Sequence, residues 1–311
     1  MPTASLPHLI VPFAQSAGDG WLEAATKLEL KNLSQLLRGM KLADTNAGQA
    51  DSLSPPHERV LAKAWELPNS ADGLIPWAAL EAKAKPNQAW AFITPCHWAM
   101  GREHATLTDP ATLDLTQDES RTLLAAMQPY FATEGITLHY LQPTSWLAEG
   151  AIFASLPTAS LDRVLGRNVD RWLPPSKAIK LLQNEMQMLL YTHPVNDERA
   201  AKGQRTVNSF WVSGSGTLTE TAIANPHVST TRCLAPAAFA NDWAAYTAAW
   251  APLDATNITQ LLAQQKSGNT VRISLCGESN SMTFESVKQG IFSKIKSMFT
   301  PLSTTYLLKQ L

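Results

Sequence analysis

The feature that most constrains this chain is an alternation. Short apolar runs are followed by segments whose apolar residues recur at helical spacing. HLIVPF at 8–13, WAFIT at 90–94, ITLHYL at 136–141, NSFWVSG at 208–214 and VRISLCG at 271–277 read as strands. Helices are expected at about 21–38, 56–66, 117–133, 177–191 and 240–250. Strands feeding crossover helices predict an α/β fold, a mostly parallel sheet flanked by helices. The unit 115–142 is the clearest: Thr116 and Glu119 form a capping box, Leu123, Leu124, Met127 and Phe131 share one face, and Gly135 stands at the helix stop.

A chain of 311 residues can bury a large core, and one α/β domain over 1–311 is expected. Periodicity weakens near 67–88 and 217–238, which read as loop insertions. A terminal helix is expected near 288–311, where lysines scattered among apolar residues favour docking on the protein over a membrane anchor. Charged residues make up only 16% of the chain, against a usual figure of about 25%. With ten tryptophans and twenty prolines, its loops must be packed down rather than left in water.

A net charge of −1 offers no basic stripe to displace counterions from phosphates, so no nucleic-acid partner is expected. No stretch approaches the roughly 18 apolar residues of a membrane span. The opening MPTASLPHLIVPFAQSAGDG lacks the basic start of a signal peptide, which points to the cytoplasm. Cys96, Cys233 and Cys276 form an odd set with no CxxC pair, so reduced, unpaired thiols are expected.

Three groups carry candidate chemistry. AWAFITPCHWAMGREHATLTD at 89–109 packs Cys96, His97, Trp98, Glu103 and His104 behind a strand, where an open parallel sheet would bind its ligands. The spacing of His97 and His104 is not a compact metal spacing, though a loop can bring the two together. The plain alternative is that Cys96 and Trp98 pack in the core and the histidines bond to backbone. In SLSPPHERVLAKAW at 52–65, Pro55, Pro56 and Glu58 open a helix, while His57 has no helix-forming reason to be there and suits a phosphate or carboxylate. In the third group, 176–216, Gln183, Asn184 and Gln187 lie together on one helix face beside Glu185, and His193, Asn196, Asp197 and Arg199 crowd a prolyl turn. The following strand carries Asn208 and ends in Gly-Ser-Gly, a weak phosphate-loop signal without the lysine of a Walker motif.

SLSPPHERVLAKA, AFITPCHWAMGREHATLTDP, SRTLLAAMQPYF, ITLHY, LGRNVDRWLP, LQNEMQMLLYTHPVNDERAAKG and VNSFWVSGSG together resemble the RpfE-type regulatory proteins of proteobacteria, often labelled phosphoglycerate mutase. The resemblance covers roughly residues 10–215 closely and the rest loosely. It implies a cytoplasmic bacterial protein with a regulatory role and offers no catalytic residues to carry over. VNSFWVSGSG is also similar to a segment of archaeal-type cofactor-independent phosphoglycerate mutases, which implies an alkaline-phosphatase-like fold with two metal ions and a nucleophilic hydroxyl. Two-metal phosphoryl transfer needs several Asp and His ligands. The first strand ends without an acid, Asp19 comes later in a glycine-flanked turn, and the last third offers His227 as its one histidine and no DxxxH pair.

The leading expectation is therefore a regulatory or ligand-binding protein on a phosphoglycerate-mutase-like scaffold. Its partner is an unidentified protein or small molecule. The alternative is a metal-dependent phosphoglycerate mutase, or a related phosphomutase or phosphohydrolase, with a divergent site. No cofactor is assigned; a divalent metal is the one candidate, with His97, His104, His193 and Asp197 as its ligands. His57, His97, Trp98, His104, Asn184, Glu185, His193, Asn196, Asp197 and Asn208 are the candidate ligand-binding residues. His57, His97, His104 and the turn His193 to Asp197 are expected at one sheet edge.

Overall fold

The computed structural model describes residues 6–67, 71–220, 224–287 and 304–311. Its strands are β1 His8–Val11, β2 Met40–Asn46, β3 Ala89–Cys96, β4 Trp98–Met100, β5 Ala105–Leu107, β6 Thr137–Gln142, β7 Ser145–Glu149, β8 Ser209–Thr217, β9 Val228–Thr230, β10 Arg272–Cys276 and β11 Ser281–Ser286. The chain divides into two compact units. One holds Met1–Asp51, Pro55–Glu66 and Ala224–Leu311; the other holds Ser52–Ser54 and Leu67–Ile223.

The first unit is built on a five-stranded sheet of order β2-β11-β10-β1-β9. β1 runs parallel to β10 and β9, while β11 runs antiparallel to both β10 and β2. Leu9, Val11, Ile273 and Leu275 turn one apolar face onto Leu33, Leu36, Leu37, Tyr246 and Trp250. The helix expected at 21–38 is two, Trp21–Thr26 and Lys31–Arg38. The buried Asp254 carboxylate starts the second, accepting the backbone N–H groups of Asn32 and Leu33 at 3.1 and 2.8 Å. An anion at a helix N-terminus satisfies donors that have no partner within the helix.

The second unit is built on a four-stranded antiparallel sheet of order β6-β7-β3-β8, with β4 and β5 as a separate hairpin. The helix Gln117–Thr133 carries the expected capping box, the Glu119 N–H donating to the Thr116 hydroxyl at 3.2 Å and the Thr116 N–H to the Glu119 carboxylate at 2.9 Å. Leu123, Met127 and Phe131 bury its face against Trp146 and Phe210. The Trp146 indole donates to the Ser120 hydroxyl at 2.9 Å, which donates to Pro143 O at 2.8 Å. A buried indole is thereby satisfied.

The mostly parallel sheet is overturned. Only the pairings of β1 with β9 and β10 are parallel; every other strand pairing in the described sheets is antiparallel. Two tight returns, at Pro143-Thr144 and at Gly277–Asn280, lead into β7 and β11 and account for the antiparallel pairings those two strands make. SWLAE and SMTFES are short and dotted with polar residues, so they do not read as strands. β3 and β6 do point the same way, as a crossover helix requires, but β7 lies between them.

Residues 67–88 hold the helix Trp77–Glu81, and residues 217–238 hold β9 and the start of the helix Ala235–Ala240; residues 68–70 and 221–223 lie outside the described residues. Of the terminal helix expected near 288–311, residues 288–303 lie outside the described residues and Thr304–Leu308 is helical. Among the described residues no helix is long and apolar enough to cross a membrane. All three cysteines are free.

Candidate functional site

The second unit contains a cavity of about 980 Å³, a volume in the range of small-molecule sites. One wall is the helix Lys177–Tyr191. Ser176 caps it, accepting the Ile179 N–H at 3.3 Å, and Ile179, Leu182, Met186 and Leu190 bury its apolar stripe. The residues it turns to the cavity include Lys180, Gln183, Asn184, Gln187 and Tyr191. The segment 193–208 continues the lining with Asn196, Asp197 and Asn208, and the hairpin β4/β5 adds Trp98, Met100 and His104.

Amides on the 193–208 side are committed to backbone. The Asn196 side chain donates to Leu190 O and Val207 O at 2.8 and 2.7 Å and accepts the Val207 N–H at 2.9 Å. Asn208 accepts the Trp98 N–H at 2.7 Å and donates to Trp98 O at 3.0 Å, sealing the outer edge of β4 as a neighbouring strand would. Beneath them, fully buried Arg199 donates to Arg205 O and Glu119 Oε2, each at 2.9 Å, and to Leu113 O. Burial pushes the Glu119 carboxyl up, but the Thr116 N–H and hydroxyl and the Arg199 guanidinium outweigh it and hold it below its ordinary value.

On the helix Lys177–Tyr191 the amides stand differently. Gln183 is 3% exposed and its nitrogen donates to Phe210 O at 3.4 Å. A carbonyl only accepts, so the nitrogen must face Phe210. Gln183 Oε1 then accepts no hydrogen bond among the described residues, and neither the Asn184 nor the Gln187 side chain makes one. Lys180 and Asp197 form no ion pair among the described residues.

Of the candidate residues, Trp98, His104, Asn184, Asn196, Asp197 and Asn208 line this one cavity, while His97, Glu185 and His193 lie outside its lining. His57 belongs to the other unit, buried in the helix Pro56–Ala64 with its ring 5.4 Å from that of Phe13. His97 Nδ1 donates to Thr206 O at 2.8 Å, since a carbonyl can only accept, which fixes a proton on that nitrogen. His193 caps the helix Pro194–Ala201, its Nδ1 accepting the Val195 N–H at 3.2 Å. Burial lowers its pKa against the opposing pull of Asp197. His97, His104, His193 and Asp197 do not bring donor atoms together as one metal-binding group. Burial raises the Cys96 thiol far above its ordinary value despite the Trp98 indole N–H beside it, so it packs as an inert small hydrophobe.

The Gly-Ser-Gly segment serves packing. Gly214 and Ser215 both sit opposite Ala91, a β-bulge between the pairings Phe92 with Ser213 and Trp90 with Gly216. Gly214 has φ +61°, and a Cβ there would lie 2.9 Å from the Phe92 ring. The Ser215 hydroxyl is held by Thr158 at 2.8 Å and donates to Leu156 O at 2.5 Å. No backbone gap remains for a phosphate.

Sequence reasoning placed Gln183 and Gln187 in an amide cluster but passed over Lys180. A glutamine in phase with Ile179, Leu182 and Met186 is the signal, since a polar group buried among apolar ones requires a partner.

No family model matches the chain and no curated protein matches it. Among solved structures it is similar to the cofactor-independent phosphoglycerate mutase from Thermoplasma acidophilum DSM 1728, at 12% identity over 96% of this chain and 94% of that one, with a TM-score of 0.36. It is also similar to the PH0037 protein from Pyrococcus horikoshii, at 12% identity over 91% of this chain and 88% of that one, with a TM-score of 0.44. Neither likeness assigns a role to any residue of the cavity.

Proposed function

We propose that this chain is a ligand-binding protein with a regulatory role of the RpfE type in the cytoplasm, and that the cavity beside the helix Lys177–Tyr191 seats a polar ligand. One observation carries the binding reading: Gln183 lines the cavity and its Oε1 accepts no hydrogen bond among the described residues. That oxygen is not sealed off from solvent, so a ligand donor entering the cavity can reach it. The regulatory part is supported by the order and length of the sequence motifs, LQNEMQMLLYTHPVNDERAAKG above all.

The test is side-chain amide NMR of the protein titrated with a set of small polar fragments. Binding should shift the Gln183, Asn184 and Gln187 amide signals, and Gln183→Leu, which keeps the volume and removes the acceptor, should abolish it. Fragments that shift none of these signals sink the binding reading. Purified protein carrying stoichiometric divalent metal and interconverting 3- and 2-phosphoglycerate would replace it with the phosphomutase alternative.

A further inference from the structure

The arrangement of polar groups along the cavity wall narrows the ligand class, an inference that rests on the binding reading above. Lys180, Asn184, Gln187 and Tyr191 recur at three- and four-residue steps, so they form one stripe along the helix Lys177–Tyr191. From Lys180 to Tyr191 the stripe is about 16 Å long at 1.5 Å per residue. Its start carries a cation and its middle carries amides. Just past its end, on the next helix, Asp197 supplies a carboxylate to the same cavity. Neither Lys180 nor Asp197 has an ion pair among the described residues.

Neutral amides present a donor and an acceptor together, which matches the N–H and C=O groups of a peptide backbone. The lining also carries Arg102, Glu103 and Asp170, so a compact phosphate would meet three carboxylates, Asp197 included, and an apolar ligand would leave the amides unsatisfied. Tyr191 is 85% exposed and Met100, on the facing hairpin, 78% exposed; both also line the cavity. They offer apolar contact to side chains, methionine adapting to varied shapes.

We propose that the cavity binds an extended peptide segment of about five residues, the number that spans the stripe at 3.3 Å per residue, with an acidic group at the Lys180 end, a basic group at the Asp197 end and an apolar side chain between them.

The experiment pans a displayed random-peptide library over the full-length protein and measures affinities of the recovered peptides by fluorescence anisotropy. Recovered sequences should carry an acid and a base separated by about four residues. Lys180→Glu should weaken them at least about tenfold, and exchanging the peptide's acid for lysine should restore binding to that variant. Lys180 is exposed, so Lys180→Glu should keep the wild-type melting temperature. An empty library, or recovered peptides indifferent to Lys180→Glu and to Asn184→Ala with Gln187→Ala, overturns the proposal. Fragments that shift the Gln183 amide while no peptide binds would leave the ligand reading standing and remove the peptide.

Discussion

The helix Lys177–Tyr191 and the segment 193–208 line the same cavity with the same kind of side chain and use it in opposite ways. Asn196 makes three hydrogen bonds to backbone and Asn208 two. Asn184 and Gln187 make none among the described residues. The difference comes from what each faces. The segment 193–208 runs past the end of one helix and the edge of β4, where backbone groups lack partners, so an amide there completes the fold. The helix interior has already paired its own backbone, and amides on its surface are left for something else.

The strongest way to break this contrast is to remove the group beneath the committed side. Arg199→Ala leaves the Leu113 carbonyl unpaired in a buried setting, frees Arg205 O, and takes from half-buried Glu119 its charged partner while the Thr116 bonds remain. An unpaired buried carbonyl costs about 1–3 kcal/mol and a hydrogen bond to a charged group is worth about 1.5–3 kcal/mol, so chemical denaturation should show a loss of about 3–5 kcal/mol. A loss below about 1 kcal/mol, the median for exposed pairs, would show the network to be dispensable.

The same contact sets a pH dependence. The Glu119 carboxyl is held below its ordinary 4.5 in the folded chain, so its stabilisation is complete above that value. It is lost as the pH falls through the lower, folded value, because the unfolded chain takes up the proton first. Denaturation midpoints should therefore decline below about pH 4.5, and Glu119→Gln should flatten that decline. An unchanged slope in the variant would assign acid sensitivity to other groups.

Asn196→Ala should cost about 3 kcal/mol, since it leaves Leu190 O and both Val207 groups without partners and each buried orphan costs about 1–3 kcal/mol. Asn208→Ala, at a half-buried site with two bonds, should cost about 1–2 kcal/mol. If the two rank the other way, the β4 edge matters more to the unit than the turn after the helix Lys177–Tyr191.

These contacts also mark where the sequence stops being legible. The helices Gln117–Thr133 and Lys177–Tyr191 are readable to the residue because Thr116, Glu119 and Ser176 cap them from within reach along the chain. The break between Trp21–Thr26 and Lys31–Arg38 is not readable, because its cap is Asp254, 222 residues from Asn32. The hairpin partners β7 and β11 were hidden by polar residues, and with them the antiparallel sheets. At the cavity the amides could be named from helical phase alone. Which of them are free depended on Val207, Trp98 and Phe210, whose backbone groups reach them only in the folded unit.

The smallest effect is the sharpest test of the contrast. Asn184 is exposed and Gln187 half-buried, and neither side chain satisfies a backbone group or an ion. Replacing both by alanine removes no hydrogen bond and raises helix propensity slightly, so stability should change by no more than about 0.5 kcal/mol. Fragment or peptide binding should nevertheless fall, because each amide supplies a donor and an acceptor that alanine lacks. A double variant as stable as the wild type that binds less tightly separates the free wall from the committed one. A double variant that loses more than about 1 kcal/mol, the worth of a typical hydrogen bond, would mean that these amides hold the fold together as Asn196 and Asn208 do.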